Sequence, residues 1–248
     1  MLFGLTAIEV VWVVFAFGLG SWAQTVSGFG FALITVPLLT VVCTRIDSVV
    51  AQSVVGLFVT TYLAWKLRAD VDRTLVSRVI PASVIGMPVG IVVGHLVSDR
   101  ILRMVLGLSV IGAATAIATG WRVRGNPKVV DVIAGGVSGV LSTTTGTSGP
   151  PVVIAMAGRD LAQSAMRSSL QWIFLVGNVV AMALFALDSA LTREGLGVGL
   201  IGLAPAILVR RNGDRMFHKL RPEQYRKLVL VMLFIAGAIA VLTALTKK

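Results

Sequence analysis

Three observations predict an all-α, polytopic membrane protein made of two inverted-topology repeats, each a re-entrant or broken-helix hairpin followed by three transmembrane helices. Of the 248 residues, 56% are hydrophobic and 13% charged, whereas a soluble domain carries about 25% charged residues. Apolar stretches able to cross roughly 30 Å of hydrocarbon, which takes about 20 residues, recur at 7–27, 48–65, 75–97, 101–120, 162–187 and 228–246. Two polar, glycine-containing interruptions, "SGFGF" at 27–31 and "TTTGTSGPP" at 143–151, stand at matching places along the chain. With a mean hydropathy of +0.91, this chain has the bilayer as its solvent, and one soluble domain around a single core is excluded.

In chain order, segment 7–27 has no Lys or Arg before it and carries Glu9 where a signal peptide would be basic, so it is expected to be a retained span. The break at 27–31 leads into 31–44, which contains Pro37 and the single cysteine, Cys43. A lone cysteine cannot close an internal disulfide and is read as packing. Segments 48–65, 75–97 and 101–120 complete the first half. In the second half, 129–142 and 149–158 are only about 14 and 10 residues long and reach about 21 and 15 Å at 1.5 Å per residue. They are expected to form the two arms of a hairpin with "TTTGTSGPP" at its tip. Segments 162–187, 195–209 and 228–246 follow it.

The net charge of +11 does not form the stripe that nucleic acid would need, because the basic residues occupy connections between apolar segments. Lys66, Arg68 and Arg73 flank one connection and Arg122, Arg124 and Lys128 the next; Arg210, Arg211, Arg215, Lys219, Arg221, Arg226 and Lys227 flank a third. The positive-inside rule puts all three in the cytoplasm, with Trp65 and Trp121 at the interface just before two of them. Parity agrees, since an even number of crossings separates successive basic loops. The expected location is the cell inner membrane, multi-pass, with the lipid bilayer as partner and no nucleic acid.

Five pieces in residues 1–121 answer five in 129–248, with 122–128 as a cytoplasmic linker. Gly90 and His95 lie 123 residues before Gly213 and His218, and Arg103 answers Arg226 at the same spacing. An odd number of pieces per repeat inverts the second repeat relative to the first. Inverted repeats with broken helices at matched positions point to a secondary transporter whose site lies near the midplane. Helices starting at Gly30 and Gly149 would aim their free N–H groups, with roughly half a positive charge each, at that site.

The candidate substrate-binding residues are Ser27, Gly28, Gly30, Gln52, Thr144, Thr145, Gly146, Thr147, Ser148, Gly149, Arg167 and Gln171. The glycines let a ligand approach the main chain, and Pro150 and Pro151 suit a first helical turn. The hydroxyls donate without fixed charge, which suits binding that must also release. Close packing is the competing explanation for small residues, and it is preferred for Gly86, Gly90 and Gly94. Arg167, Gln171 and Asn178 share one helical face, with Arg167 open to both an anion-contacting and an interfacial role.

Together "SGFGFALITVPLL" and "GVLSTTTGTSGPPVVIAM" resemble the paired glycine-rich signatures of the sulfite exporter TauE/SafE family of bacterial membrane permeases, over essentially the whole chain. The resemblance implies export, or in some members uptake, of sulfur-containing anions such as sulfite and organosulfonates. The expectation is a permease exporting a small anion, with no cofactor and no metal, and with room for a homodimer. An enzyme is disfavoured because there is no HExxH, no Cys/His grouping and no paired intramembrane carboxylate. A channel for small inorganic or carboxylate anions is the alternative, since it would use the same dipoles and hydroxyls.

Overall fold

The computed structural model describes residues 4–120, 125–157, 159, 161–219 and 222–246; Trp121, Arg122, Arg124 and Arg221 lie outside them, as do the side chains of Arg103, Arg210, Arg211, His218, Lys219 and Arg226. The described residues form ten α-helices: α1 (Ala7–Ser27), α2 (Phe31–Leu39), α3 (Arg45–Lys66), α4 (Arg73–Leu96), α5 (Asp99–Thr119), α6 (Pro127–Thr145), α7 (Gly149–Ala157), α8 (Gln163–Leu187), α9 (Arg193–Lys219) and α10 (Pro222–Thr246). Each answers one of the ten pieces read from the sequence. Among them α1, α3, α4 and α8 are long and apolar enough to cross a membrane.

Local chemistry fixes where the helices start and stop. Thr6 and Glu9 close a capping box at α1, Thr44 accepts from Asp47 N at α3, and Asp72 accepts from Leu75 N at α4; each satisfies an N–H that the helix itself leaves open. Gly28 (φ 81°) ends α1 and Gly146 (φ 73°) ends α6 in the left-handed region that side chains avoid. Several boundaries differ from expectation, among them the start of α10, at Pro222 rather than 228. α6 has 19 residues rather than about 14, starting at Pro127 and running through the triplet, where the hydroxyls of Thr144 and Thr145 donate to Val140 O (2.9 Å) and Leu141 O (2.9 Å). α2 stops at Leu39, where the chain turns through residues 40–43. α9 runs on to Lys219, since a charged helix leaving hydrocarbon can continue in water.

Both hairpins fold back on themselves. Trp12 Nε1 donates to Leu38 O (2.8 Å) across α1 and α2, and Ser138 Oγ donates to Ser148 O (2.6 Å) where α7 turns back along α6. They open toward opposite ends of the bundle. At the basic end, the α3–α4 turn meets the start of α8 through Ser168 Oγ to Leu67 O (2.6 Å) and Asp72 N to Ser169 Oγ (2.9 Å). There the start of α6 is held by Asp131, fully buried between Arg78 and Arg159. At the far end, the starts of α3 and α9 meet the ends of α4 and α8: Thr192 Oγ1 donates to Asp47 (2.5 Å), and His95 lies 2.9 Å from Asp188.

Many polar residues are buried within the apolar core, while the outer face is largely apolar. Ser21, Gln24, Thr25, Gln52, Ser53, Thr60, Ser138 and Gln171 are buried, while Ile8, Ile85, Leu96, Leu187 and Leu208 stand out from the surface. A soluble monomer would not present so much apolar surface, whereas in lipid it is the natural outer face. Helix contacts also recur in pairs: α4 lies along α6 and α9 along α1, α3 meets α9 as α8 meets α4, and α2 touches α10 as α7 touches α5. Gly90 of α4 faces Val140 and Thr143 of α6; Gly213 of α9 faces Trp22 and Thr25 of α1.

These contacts are close enough that the main chains nearly touch. A Cβ at Gly139 would lie 2.0 Å from Ser83 O, and one at Gly86 2.3 Å from Gly136 O. Without a hydrophobic force between helices in lipid, such small-residue packing is a main source of association. Gly139→Val is therefore expected to cost about 1–3 kcal/mol or to prevent folding. Gly94→Ala, where a Cβ meets nothing within 4 Å, should leave the melting temperature in detergent within a degree or two; equal losses in both would contradict the contact.

Candidate functional site

The two helix breaks meet near the centre of the bundle. After α1 stops at Gly28, Gly30 (φ 105°) leads into α2, and Ser27 Oγ donates to Ala23 O (2.7 Å). A relay of amides then braces this turn. Gln171 Nε2 donates to Gly28 O (2.6 Å), Gln24 Nε2 donates to Gln171 Oε1 (2.9 Å), and Phe31 N donates to Gln24 Oε1 (3.2 Å). One relay thus ties α8 to the end of α1 and occupies the first donor of α2. Arg167 lies across the same turn, its Cγ 2.7 Å from where a Cβ on Gly28 would be, and its Nη2 donates to Thr25 O.

The second break is built from hydroxyls and apolar contacts. Thr147 N donates to Leu141 O (3.3 Å), the Thr145 and Thr147 hydroxyls are 2.8 Å apart, and Val36 and Val49 close over Gly146. Because Pro150 and Pro151 have no N–H, the first turn of α7 offers only the Gly149 amide. The first turn of α2 still has the amides of Ala32 and Leu33 beyond the one that Gln24 takes.

Between the breaks is a cavity of about 30 Å³ lined by Gln24, Gly30, Phe31, Ala32, Leu33, Gln52, Thr60, Ser142, Gly146, Thr147, Ser148, Gly149, Phe174 and Asn178. None of these side chains is charged. Gly56 makes room for its amides, since a Cβ there would sit 2.9 Å from Gln52 Nε2 and 3.0 Å from Asn178 Nδ2. A wall of amides, hydroxyls and half-helix N–H groups offers donors to an anion without a fixed countercharge that would hold it.

Of the residues singled out from sequence, Gly30, Gln52, Gly146, Thr147, Ser148 and Gly149 line this cavity. Ser27, Gly28, Arg167 and Gln171 form the turn beside it. Thr144 and Thr145 direct their hydroxyls back into α6, while Thr143 donates to Met87 O (2.8 Å), so no member of the triplet lines the cavity. Gln24, Thr60, Ser142, Phe31 and Phe174 were not singled out. Gln24 had a signal: it is an amide deep in an otherwise apolar span, one turn before the break. Phe31 and Phe174 had none, because an aromatic ring in a membrane helix looks the same whether it faces lipid or ligand.

An interior of helix breaks and buried amides wrapped in an apolar surface is that of a polytopic membrane permease. The sulfite exporter TauE/SafE family model matches residues 13–239, and the chain belongs to that family. A probable sulfite/organosulfonate exporter TauE from Cupriavidus necator is 24% identical over 238 residues, covering 92% of each chain. No solved structure matches. The family is one of transporters rather than enzymes.

The relay makes a thermodynamic prediction. Gln24→Leu leaves Phe31 N and Gln171 Oε1 without their buried partner, which is expected to cost about 1–3 kcal/mol. Gln171→Leu should cost a similar amount, and the double variant less than the two together, by about 0.5 kcal/mol or more. Unfolding in detergent measures all three; strictly additive losses would show that the amides act separately.

Proposed function

We propose that the chain is a secondary permease that moves small sulfur-containing anions such as sulfite or organosulfonates out across the bacterial inner membrane. The observation that carries this is the convergence of two helix breaks, from hairpins opening to opposite ends, on one uncharged, donor-lined cavity. Family membership and the printed description of the Cupriavidus necator relative support the substrate class. The anion would take donors from the N-termini of α2 and α7, the Gln52 and Asn178 amides and the hydroxyls of Ser142 and Ser148. Arg167 and Gln171 would hold the first break in shape.

In this reading residues 1–121 and 129–248 are inverted repeats joined by the linker 122–128. Paired helix neighbours support it, as does the spacing of equivalent contacts: Trp22 and Thr25 precede Val140 and Thr143 by 118 residues, while their partner glycines, Gly90 and Gly213, are 123 apart. Lys66, Arg68, Arg73 and Lys128 lie at one end, which the positive-inside rule assigns to the cytoplasm. A cavity of about 30 Å³ has room for one or two waters, so taking in an oxyanion would need the surrounding helices to move. That favours a carrier over the alternative of an anion channel.

With the cell interior negative, moving a monoanion outward gains about 2.3 kcal/mol per 100 mV. Outward sulfite flux from proteoliposomes should therefore rise with an inside-negative potential and saturate with concentration. Flux that ignores voltage and needs a pH gradient would refute this energetics, and single-channel currents would favour the channel. Sulfite, taurine or sulfoacetate should raise the melting temperature of the purified protein. Gln52→Leu and Ser142→Ala should each lower the affinity tenfold or more, and unchanged shifts in both would remove the cavity from the site.

A further inference from the structure

Two arginines make the same kind of contact at opposite ends of the molecule. At the far end, Arg45 in the first turn of α3 donates from Nη1 to Thr144 O (2.7 Å), a carbonyl in the last turn of α6. At the basic end, Arg167 near the start of α8 donates from Nη2 to Thr25 O, a carbonyl in the last turn of α1. Each is carried by the helix after one hairpin and caps the first helix of the other hairpin. Last-turn carbonyls lack helical partners and form the negative end of the dipole, so a guanidinium is well matched to them. Both contacts join one half of the chain to the other, beside a break that lines the cavity.

The surroundings of Arg45 show what its contact separates. A cleft of about 400 Å³ opens at the far end, with Arg45, Thr143, His95, Phe185 and Asp188 in its wall. The central cavity is walled by Ser142, Gly146 and Thr147. The last turn of α6 therefore stands between the two spaces, and Arg45 pins that turn to α3. Arg45 also has somewhere to go, because its Nε already meets the half-exposed carboxylate of Asp99 (2.5 Å) on α5. The guanidinium can release Thr144 O and stay paired. Arg167, 3% exposed, covers Gly28 in the corresponding place at the basic end.

We propose that Arg45 and Arg167 are the two gates of the central cavity, one at each end, released in turn during transport. The proposal rests on the carrier reading above, but access to the cavity can be measured without knowing the substrate. The experiment places a reporter cysteine at Ser142 in a Cys43→Ser background and follows its modification by a small, membrane-impermeant methanethiosulfonate. Right-side-out and inside-out vesicles expose the two faces separately.

Arg45→Gln is expected to raise the modification rate about tenfold or more from the far end alone, and Arg167→Gln to do so from the basic end alone. Rates unchanged from both faces, or raised equally from both, would overturn the proposal. Should a Gln variant fail to fold, Arg→Lys at the same position keeps the charge but loses the guanidinium fork, and a rise of about threefold from the same single face is required of it. Face-specific changes together with a wild-type protein that moves no sulfite would uphold the gates and discard the substrate; sulfite flux by the wild type without such changes in the reporter variants would do the reverse.

Discussion

The structure depends on one constraint: where a helix breaks inside hydrocarbon, its backbone donors and acceptors must find partners within the protein, because each orphan costs several kcal/mol. This chain breaks twice, at residues 28–30 and 146–148. Several of the buried polar side chains serve those breaks, joined by the partly buried Arg45. Gln171, Gln24, Ser27 and Arg167 attend the first; Ser138, Thr145, Thr147 and Arg45 attend the second. The polar residues buried at the breaks follow from this need, and the apolar exterior from the solvent around it.

Satisfying the breaks also sets how closely the helices pack. Carbonyls and hydroxyls can reach a neighbouring main chain only if the helices approach with little between them, which is why α4 and α6 meet at Gly86, Gly90, Gly135 and Gly139. At Gly90 the two requirements coincide: a side chain there would displace Thr143, whose hydroxyl donates to Met87 O. Close packing and polar satisfaction are thus one feature of this interface. Substrate donors remain at the cavity only where neither has consumed them.

Much of this arrangement could be read from the sequence. All ten helical pieces were visible as apolar runs, and both breaks as glycine-rich polar interruptions, since length and hydropathy decide these in a membrane. The identity of the cavity wall was less accessible. Thr144 and Thr145 looked like free donors, but a threonine hydroxyl can bond to the carbonyl four residues back, and sequence does not say which choice it makes. Gln52 could be chosen because an amide in an apolar span is costly and must be used; Asn178 stood out only for its place on the Arg167 face. The partnership of Gln24 with Gln171, 147 residues away, depends on how α1 meets α8, which no local pattern encodes.

The two breaks correspond in position but differ in chemistry, and this difference bears on how an anion is held. Gly28 is covered by Arg167 and Gln171, whereas Gly146, 118 residues later, is covered by Val36 and Val49. The α2 end keeps amides at Ala32 and Leu33 and sits beside a buried guanidinium. The α7 end loses two donors to Pro150 and Pro151 and makes up for them with Ser142, Ser148 and Gly149. In the proposed site the first half would therefore offer an anion more backbone donors, and the hydroxyls of the second would supply adaptable, uncharged contacts. On the proposed carrier reading, an anion held nearer the α2 amides would be linked to the Arg167 contact through the one short turn at Gly28.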